Sequence, residues 1–240
     1  IITISNQKGG VGKTTSSVNI ASYLAASEIP TLIIDMDPQA NTTSGLGLEL
    51  NSSTKSIYDL IIKESGAKSV IQKTDLEYLD IIPSSTQLVG AEIELVSEIS
   101  REFMLKEALD SIKNSYQYVI IDSPPSLGLL TLNVLTASDS VIIPIQCEYY
   151  ALEGLSQLLN TIRLVQKRLN ANLKIEGILV TMYDSRLNLS KQVVSELEDY
   201  FEDKVYKTYI HRNVRLGEAP SHGKPILLYD ASCVGAQDYM

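Results

Sequence analysis

Lys8-Gly9-Gly10-Val11-Gly12-Lys13-Thr14-Thr15 directly follows the apolar run Ile1-Ile2-Thr3-Ile4 and opens the helical pattern Val18, Ala21, Ala25, with Ile20 and Leu24 beside it. The order is strand, glycine-rich loop, helix. Glycines let backbone N–H groups turn inward around a phosphate, and the helix N-terminus adds partial positive charge. In that setting Lys13 reaches the β- and γ-phosphates, and the Thr14 hydroxyl takes a Mg²⁺ position. The strict P-loop pattern asks for Gly where this chain has Gln7. Two additional glycines and a second lysine, Lys8, stand there instead.

Outward from the loop, apolar runs alternate with helical patterns. Strands are predicted at Ile1 to Ser5, Thr31 to Ile34, Leu79 to Ile82, Tyr118 to Ile121, Ser140 to Ile145, Ile175 to Thr181 and Lys204 to Thr208. Helices are predicted near Thr14 to Ala26, Phe103 to Asn114, Leu152 to Leu169 and Leu189 to Phe201. This alternation predicts βαβ units: an α/β P-loop NTPase fold with a mainly parallel, twisted β-sheet and helices on both faces. Runs such as Val119-Ile120-Ile121 lack alternation because parallel strands are buried on both sides. No Ser/Gly/Pro-rich linker divides the chain, so residues 1–240 are expected to form a single domain. Gln39 to Ser53, rich in Asn, Thr, Ser and Gly, is expected to be a long mobile loop beside the nucleotide.

Two aspartates end hydrophobic strands. Leu32-Ile33-Ile34 runs into Asp35, with Asp37-Pro38-Gln39 beyond it, and Val119-Ile120-Ile121 runs into Asp122. In open α/β sheets ligands bind off the carboxyl ends of the strands, so both acids are expected beside the P-loop. Asp122 suits a water-mediated Mg²⁺ contact, and Asp37 is placed to orient an attacking water.

Composition narrows the function classes. The net charge of −9 argues against a globally basic nucleic-acid binder while leaving room for a local basic face. No apolar run approaches the length of a bilayer span, and no secretory n- and h-region stands at the N-terminus. The chain starts inside a strand without Met, so a trimmed N-terminus is expected. Cys147 and Cys233 lack metal-type spacing and read as reduced structural thiols of a cytosolic protein.

The stretch Gln7 to Thr15 resembles the deviant Walker A motif of ParA/MinD-type ATPases. Asp35 to Asn41 and Asp122 to Gly128 resemble the two switches of the ParA branch. Gln146 to Gly154, Arg212 to Leu216 and Glu218 to Pro225 resemble that branch too, so the likeness runs over nearly the whole chain. It implies a cytoplasmic, nucleoid-associated ATPase of the Soj/ParA partition type, slow alone, that forms an ATP-dependent homodimer. Lys8 would reach the partner subunit's nucleotide. Lys8, Lys13, Asp37 and Asp122 would carry catalysis, and Thr14, Asp37 and Asp122 would serve Mg²⁺. Gly9, Gly10, Val11, Gly12 and Thr15 would complete the ATP site, with Asn213 and the backbone near His211 at the adenine. Double-stranded DNA would be bound without sequence preference through Arg186, Lys191, Arg212, Arg215 and Lys224. A ParB-type protein would be the partner, through a short basic segment acting on an acidic dimer.

Three alternatives share the fold. A MinD-type membrane-associated ATPase would carry a basic amphipathic C-terminal helix, which Gly235 to Met240 does not resemble, so no membrane is expected. An iron–sulphur reductase would need cysteines near Asp122. A metabolic ligase or kinase would need a dedicated substrate pocket.

Overall fold

The computed structural model describes residues 1–51, 53–148 and 151–240, and only the backbone of 151–153. Seven strands, β1 (Ile2–Ile4), β2 (Thr31–Asp35), β3 (Gln72–Lys73), β4 (Leu79–Ile82), β5 (Tyr118–Asp122), β6 (Ser140–Gln146) and β7 (Lys174–Thr181), form one sheet in the order β3-β4-β2-β5-β1-β6-β7. Every neighbouring pair is parallel except the short edge pair β3–β4.

The unbroken apolar runs send alternate side chains to opposite faces. On one face Ile33, Ile120, Ile4 and Ile142 pack against Val18, Ala21 and Ala25 of helix α1 (Lys13–Ala26), and against Ile226 and Ala236 from the C-terminal segment. On the other, Leu32, Ile34, Val119 and Ile121 meet Ile57, Leu105 and Val134. Farther along that second face, Val141, Ile143 and Ile178 meet Leu158, Val193 and Leu197. The second face is one surface, because the register aligns Ile121, Thr3 and Val141 in a single row. Helices on both faces remove the strand interiors from water, which is why isoleucine and valine fill them without polar alternation.

Local differences from the predicted elements have physical causes. The predicted strand Lys204 to Thr208 does not form. Residues 202–204 make a 3-10 turn, and Val205 alone bridges Ile178. The turn takes up Lys204, the first residue of the predicted run, and the segment covers the β7 edge without laddering along it. The helix predicted from Phe103 to Asn114 is reduced to Met104–Leu109 between two 3-10 turns. The predicted loop Gln39 to Ser53 contains a short helix, α2 (Asn41–Gly45), which is tied down by side chains described below; Ser52 lies outside the described residues. Gly47 and Gly223 pass backbone to backbone, and a Cβ on Gly223 would stand 2.7 Å from the Gly47 Cα. Neither residue tolerates a side chain without moving this tether. Both cysteines are free thiols, and burial pushes the Cys147 thiol up to about 11, which leaves it unreactive.

Candidate nucleotide site

β1 ends at Ile4, and the chain reaches α1 through a loop whose Gly10 and Gly12 adopt φ +75° and +88°. Only glycine enters that region without strain. Cβ atoms built on Gly9 and Gly10 meet nothing within 4 Å, so the loop faces open space. The N–H groups of Gly9, Gly10, Val11 and Gly12 donate to no atom among the described residues. They stand at the N-terminus of a fourteen-residue helix, the arrangement that receives a phosphate. A cavity of about 370 Å³ opens over them, lined by Gly9, Gly10, Gly12, Lys13, Thr14, Thr15, Asp37, Gln39, Asn41, Pro125 and Met182.

The two strand-end acids meet beneath this cavity, because the β2–β5 register sets Asp35 opposite Asp122. Both are fully buried. Asp122 Oδ2 accepts from Thr14 Oγ1 (2.8 Å) and Thr42 Oγ1 (2.7 Å), and its Oδ1 accepts from Ser17 Oγ (3.0 Å). Asp35 accepts from Thr43 N (2.9 Å), Thr43 Oγ1 (2.7 Å) and Asp37 N (3.1 Å). Asp35 therefore shapes the 37–43 segment from below and has no route to a ligand. Asp37, one turn further on, holds Gln39 N (3.0 Å) and reaches the cavity.

Burial pushes the Asp35 carboxyl up to about 7, with the Asp122 charge adding to the shift. Burial also pushes Asp122 up to about 6, against the three hydroxyl donors and Lys13, which favour its charged form. The Lys13 amine is lowered by its own burial and held up by Asp122 and Asp37. Its Nζ donates to Lys8 O (3.0 Å), which folds the loop around it. Lys8 itself turns away from the cavity and ion-pairs with Glu148, just beyond β6. Tyr149 and Tyr150, which share the motif with Glu148, lie outside the described residues.

A second pocket, about 220 Å³, shares Gly12, Thr15 and Met182 with the first and adds Thr181, Ile210, His211, Arg212, Asn213, Leu216, Gly217 and Tyr239. Mostly apolar walls with a polar rim suit a base stacked beyond the phosphates. His211 and Asn213 both line it, but their donors and acceptors are partly committed. The His211 N–H donates to Asp238 Oδ2 (2.8 Å), so its carbonyl is the backbone group left for a base. Asn213 Oδ1 caps the following helix at Arg215 N (2.8 Å), leaving its amide NH₂. Tyr239 closes the pocket with its hydroxyl 2.9 Å from Ser16 Oγ.

Two of the five cations expected at DNA, Arg186 and Arg215, are held by neighbouring carboxylates. Arg186 clasps Asp184 with two nitrogens (2.9 and 2.6 Å), and Arg212 stands close enough to depress the same carboxyl, which lies at about 2. Arg215 pairs with Glu218 (2.9 Å) and Asp230 (3.6 Å). Lys191, Arg212 and Lys224 are exposed and have no ion pair among the described residues.

Residue reasoning did not find Ser17, Thr42, Thr43, Glu148, Thr181, Met182 or Tyr239. Thr42 and Thr43 carried a usable signal, a hydroxyl pair shortly after a strand-end acid. Tyr239 carried none, since it lies more than 200 residues from the loop it covers.

A glycine loop that presents open N–H groups, a lysine and a threonine to a cavity floored by a strand-end aspartate defines a P-loop nucleotide-binding protein. Comparison with known proteins narrows the class. A family model described as an AAA domain matches residues 1–175. The sporulation initiation inhibitor protein Soj of Bacillus subtilis (strain 168) is 61% identical over 240 residues, 100% of this chain and 95% of that protein. The chromosome partitioning protein ParA of Myxococcus xanthus (strain DK1622) is 54% identical, over 100% of this chain and 85% of its own. Among solved structures, one described as cobyrinic acid a,c-diamide synthase from Mycobacterium smegmatis, with bound ATP analog and magnesium, superposes with a TM-score of 0.86 at 36% identity, covering 99% of this chain and 90% of that one. The chain belongs to the ParA/Soj family of chromosome-partitioning ATPases.

Proposed function

We propose that this chain is an ATP-driven switch for DNA segregation, acting as one domain over its 240 residues in the cytoplasm on the nucleoid. The observation that carries the reading is the junction where Thr14, Thr42 and Ser17 all donate to Asp122 directly below the glycine loop. Gly9 to Thr15 cradle the phosphates of ATP, and the second pocket holds the adenine between Met182, Leu216 and Asn213.

The donor set fits Mg²⁺. Thr14 Oγ1 supplies a hard oxygen, Asp122 lies behind it, and the buried Ser123 Oγ beside Asp122 has no hydrogen-bond partner among the described residues. When bound, the ion neutralises charge on the phosphate oxygens. Lys13 donates to the transferring phosphoryl group, with a burial-weakened hold on its proton that strengthens the bond it makes. Asp37 aligns water for in-line attack, giving ADP and phosphate. Lys8 exchanges Glu148 for the γ-phosphate of the partner subunit, so that ATP joins two copies and hydrolysis lets them part.

The dimer binds duplex DNA through phosphate contacts from Lys191, Arg212, Lys224 and the paired Arg186 and Arg215, whose neutralised partners set how much binding each adds. A ParB-type protein stimulates hydrolysis. No helix among the described residues is long and apolar enough to cross a membrane. The second reading is a small-molecule synthase, after the described name of the smegmatis neighbour. Identity of 61% to Soj against 36% to that structure favours partition.

The test is light scattering and ATP turnover with and without DNA. ATP and Mg²⁺ convert monomer to dimer, and Asp37→Ala holds the dimer while turnover falls about a hundredfold, the usual size of losing a positioned proton acceptor. A monomer in ATP, or turnover that needs a small-molecule acceptor and ignores DNA, rules the proposal out.

A further inference from the structure

Away from the nucleotide, the helix Leu88–Glu94 and the 3-10 turn Leu95–Ser97 turn one side inward and leave the other uncovered. Leu88, Ala91 and Leu95 are at most 1% exposed, whereas Val89, Ile93, Val96 and Ile99 are 58, 76, 61 and 90% exposed. The spacing of 89, 93 and 96 is that of one helical stripe. Acids flank it. Between Gln87 and Glu102 stand Glu92, Glu94, Glu98 and Glu102 against a single Arg101, which is already paired with Glu102. Exposed apolar residues ringed by one sign of charge mark a protein contact surface.

Two observations connect this stripe to the nucleotide. The Glu92 carboxylate is wedged against Gly128, at the end of the Asp122–Gly128 loop, and its buried Oε1 has no hydrogen-bond partner among the described residues. Asn133, on the helix that follows the loop, accepts from Leu105 N (3.1 Å) and donates to Arg101 O (2.8 Å), tying the far end of the stripe to the same helix.

We propose that this stripe receives a basic amphipathic helix from the stimulating partner. Its apolar side covers Val89, Ile93, Val96 and Ile99, and its Lys or Arg residues pair with Glu92 and Glu98. A cation drawn to Glu92 satisfies the stranded oxygen and lifts the carboxylate off Gly128, so that binding resets the loop carrying Asp122. The proposal rests on the partition reading and adds where the partner docks and which lever it pulls.

The experiment uses the full chain with ATP and Mg²⁺. The probe is a fluorescein-labelled N-terminal peptide of the ParB-type protein encoded beside it, followed by anisotropy. The double variant Ile93→Ser/Ile99→Ser should lose affinity for the peptide by about tenfold or more, as for central apolar anchors. Glu92→Gln should lose it severalfold and lose its salt dependence in part, and both variants should bind ATP as the parent does. Parent-like peptide affinity in both variants overturns the docking site, and if the whole partner still stimulates turnover the partition reading stands. No peptide binding and no stimulation by the whole partner overturns both. Equal binding of a peptide whose Lys and Arg are replaced by Ala overturns the charge pairing. Self-association of the parent that Ile93→Ser abolishes would make the stripe a contact between copies and overturn the partner assignment.

Discussion

The floor of the phosphate cavity and the cationic rim beyond the base pocket handle charge in opposite ways. On the floor, Asp35 and Asp122 are sealed from water, and six donors from hydroxyls and backbone saturate them. On the rim, Arg186 is 86% exposed and held by an aspartate two residues away. A buried carboxylate must be fully paired, because its desolvation is costly, so each partner is obligatory. An exposed pair is worth roughly 0–1 kcal/mol and can be exchanged for another anion at little cost. Contacts at the floor therefore define whether the site exists, and contacts at the rim tune what it holds.

The largest expected effect comes from breaking the floor. Lys13→Ala removes a cation that favours the charged form of Asp122 and that is placed to meet the β- and γ-phosphates, and loss of a buried charged contact to a binding partner costs roughly 2–5 kcal/mol. ATP affinity measured by calorimetry should fall more than a hundredfold. Parent-like affinity would show that the floor behaves like the rim.

Next is pH. Both floor carboxyls are raised in the folded chain, Asp35 from 3.8 to about 7 and Asp122 from 3.8 to about 6. The folded state thus holds more protons than the unfolded state between those values. Stability is greatest below about 4 as far as these groups are concerned, and is lost as pH rises through about 6 to 7. The nucleotide-free protein should melt several degrees lower at pH 8 than at pH 5.5, at roughly 2–4 °C per kcal/mol for a chain of this size. A melting temperature that rises across that window, by calorimetry without Mg²⁺, would contradict the buried pair.

The rim should respond more gently. Arg186→Ala removes at most one phosphate contact, so the slope of log affinity against log salt for duplex DNA should flatten by about 0.9. Asp184→Asn frees the same guanidinium and should tighten binding instead. Equal effects in the same direction would mean that the pair acts as a unit. The smallest change is expected between the two regions, where Lys8 and Glu148 are half-exposed. Glu148→Ala should favour the ATP dimer by no more than about fivefold, the limit of a surface pair.

Several of these parts were legible in the chain as written. Gly10 and Gly12 announce a loop because glycine adopts their φ without strain, and Lys13-Thr14 follow at the helix start because the geometry of a strand–loop–helix unit is local. Asp35 and Asp122 were readable for the same reason: each closes an apolar strand, and parallel strands in one sheet end at one side. The Lys204 to Thr208 strand was misread because its apolar pattern suits β structure, while a 3-10 turn takes up Lys204 and a single bridge joins the segment to β7. Among the five cations, type and position were visible but freedom was not, since Glu218 and Asp230 become partners of Arg215 only when their turns fold back.

Residues adjacent along a strand and its loop thus carry their own placement, because backbone conformation is set by near neighbours. The pairing of Asp35 with Asp122, the capture of Asp122 by Thr42, the turning of Lys8 onto Glu148 and the closing of the base pocket by Tyr239 join residues separated by 80 to more than 200 positions. Sheet register and helix packing bring them together, and at the sealed Asp122 burial then makes the hydrogen bonds compulsory, a coupling that exists only in the folded chain.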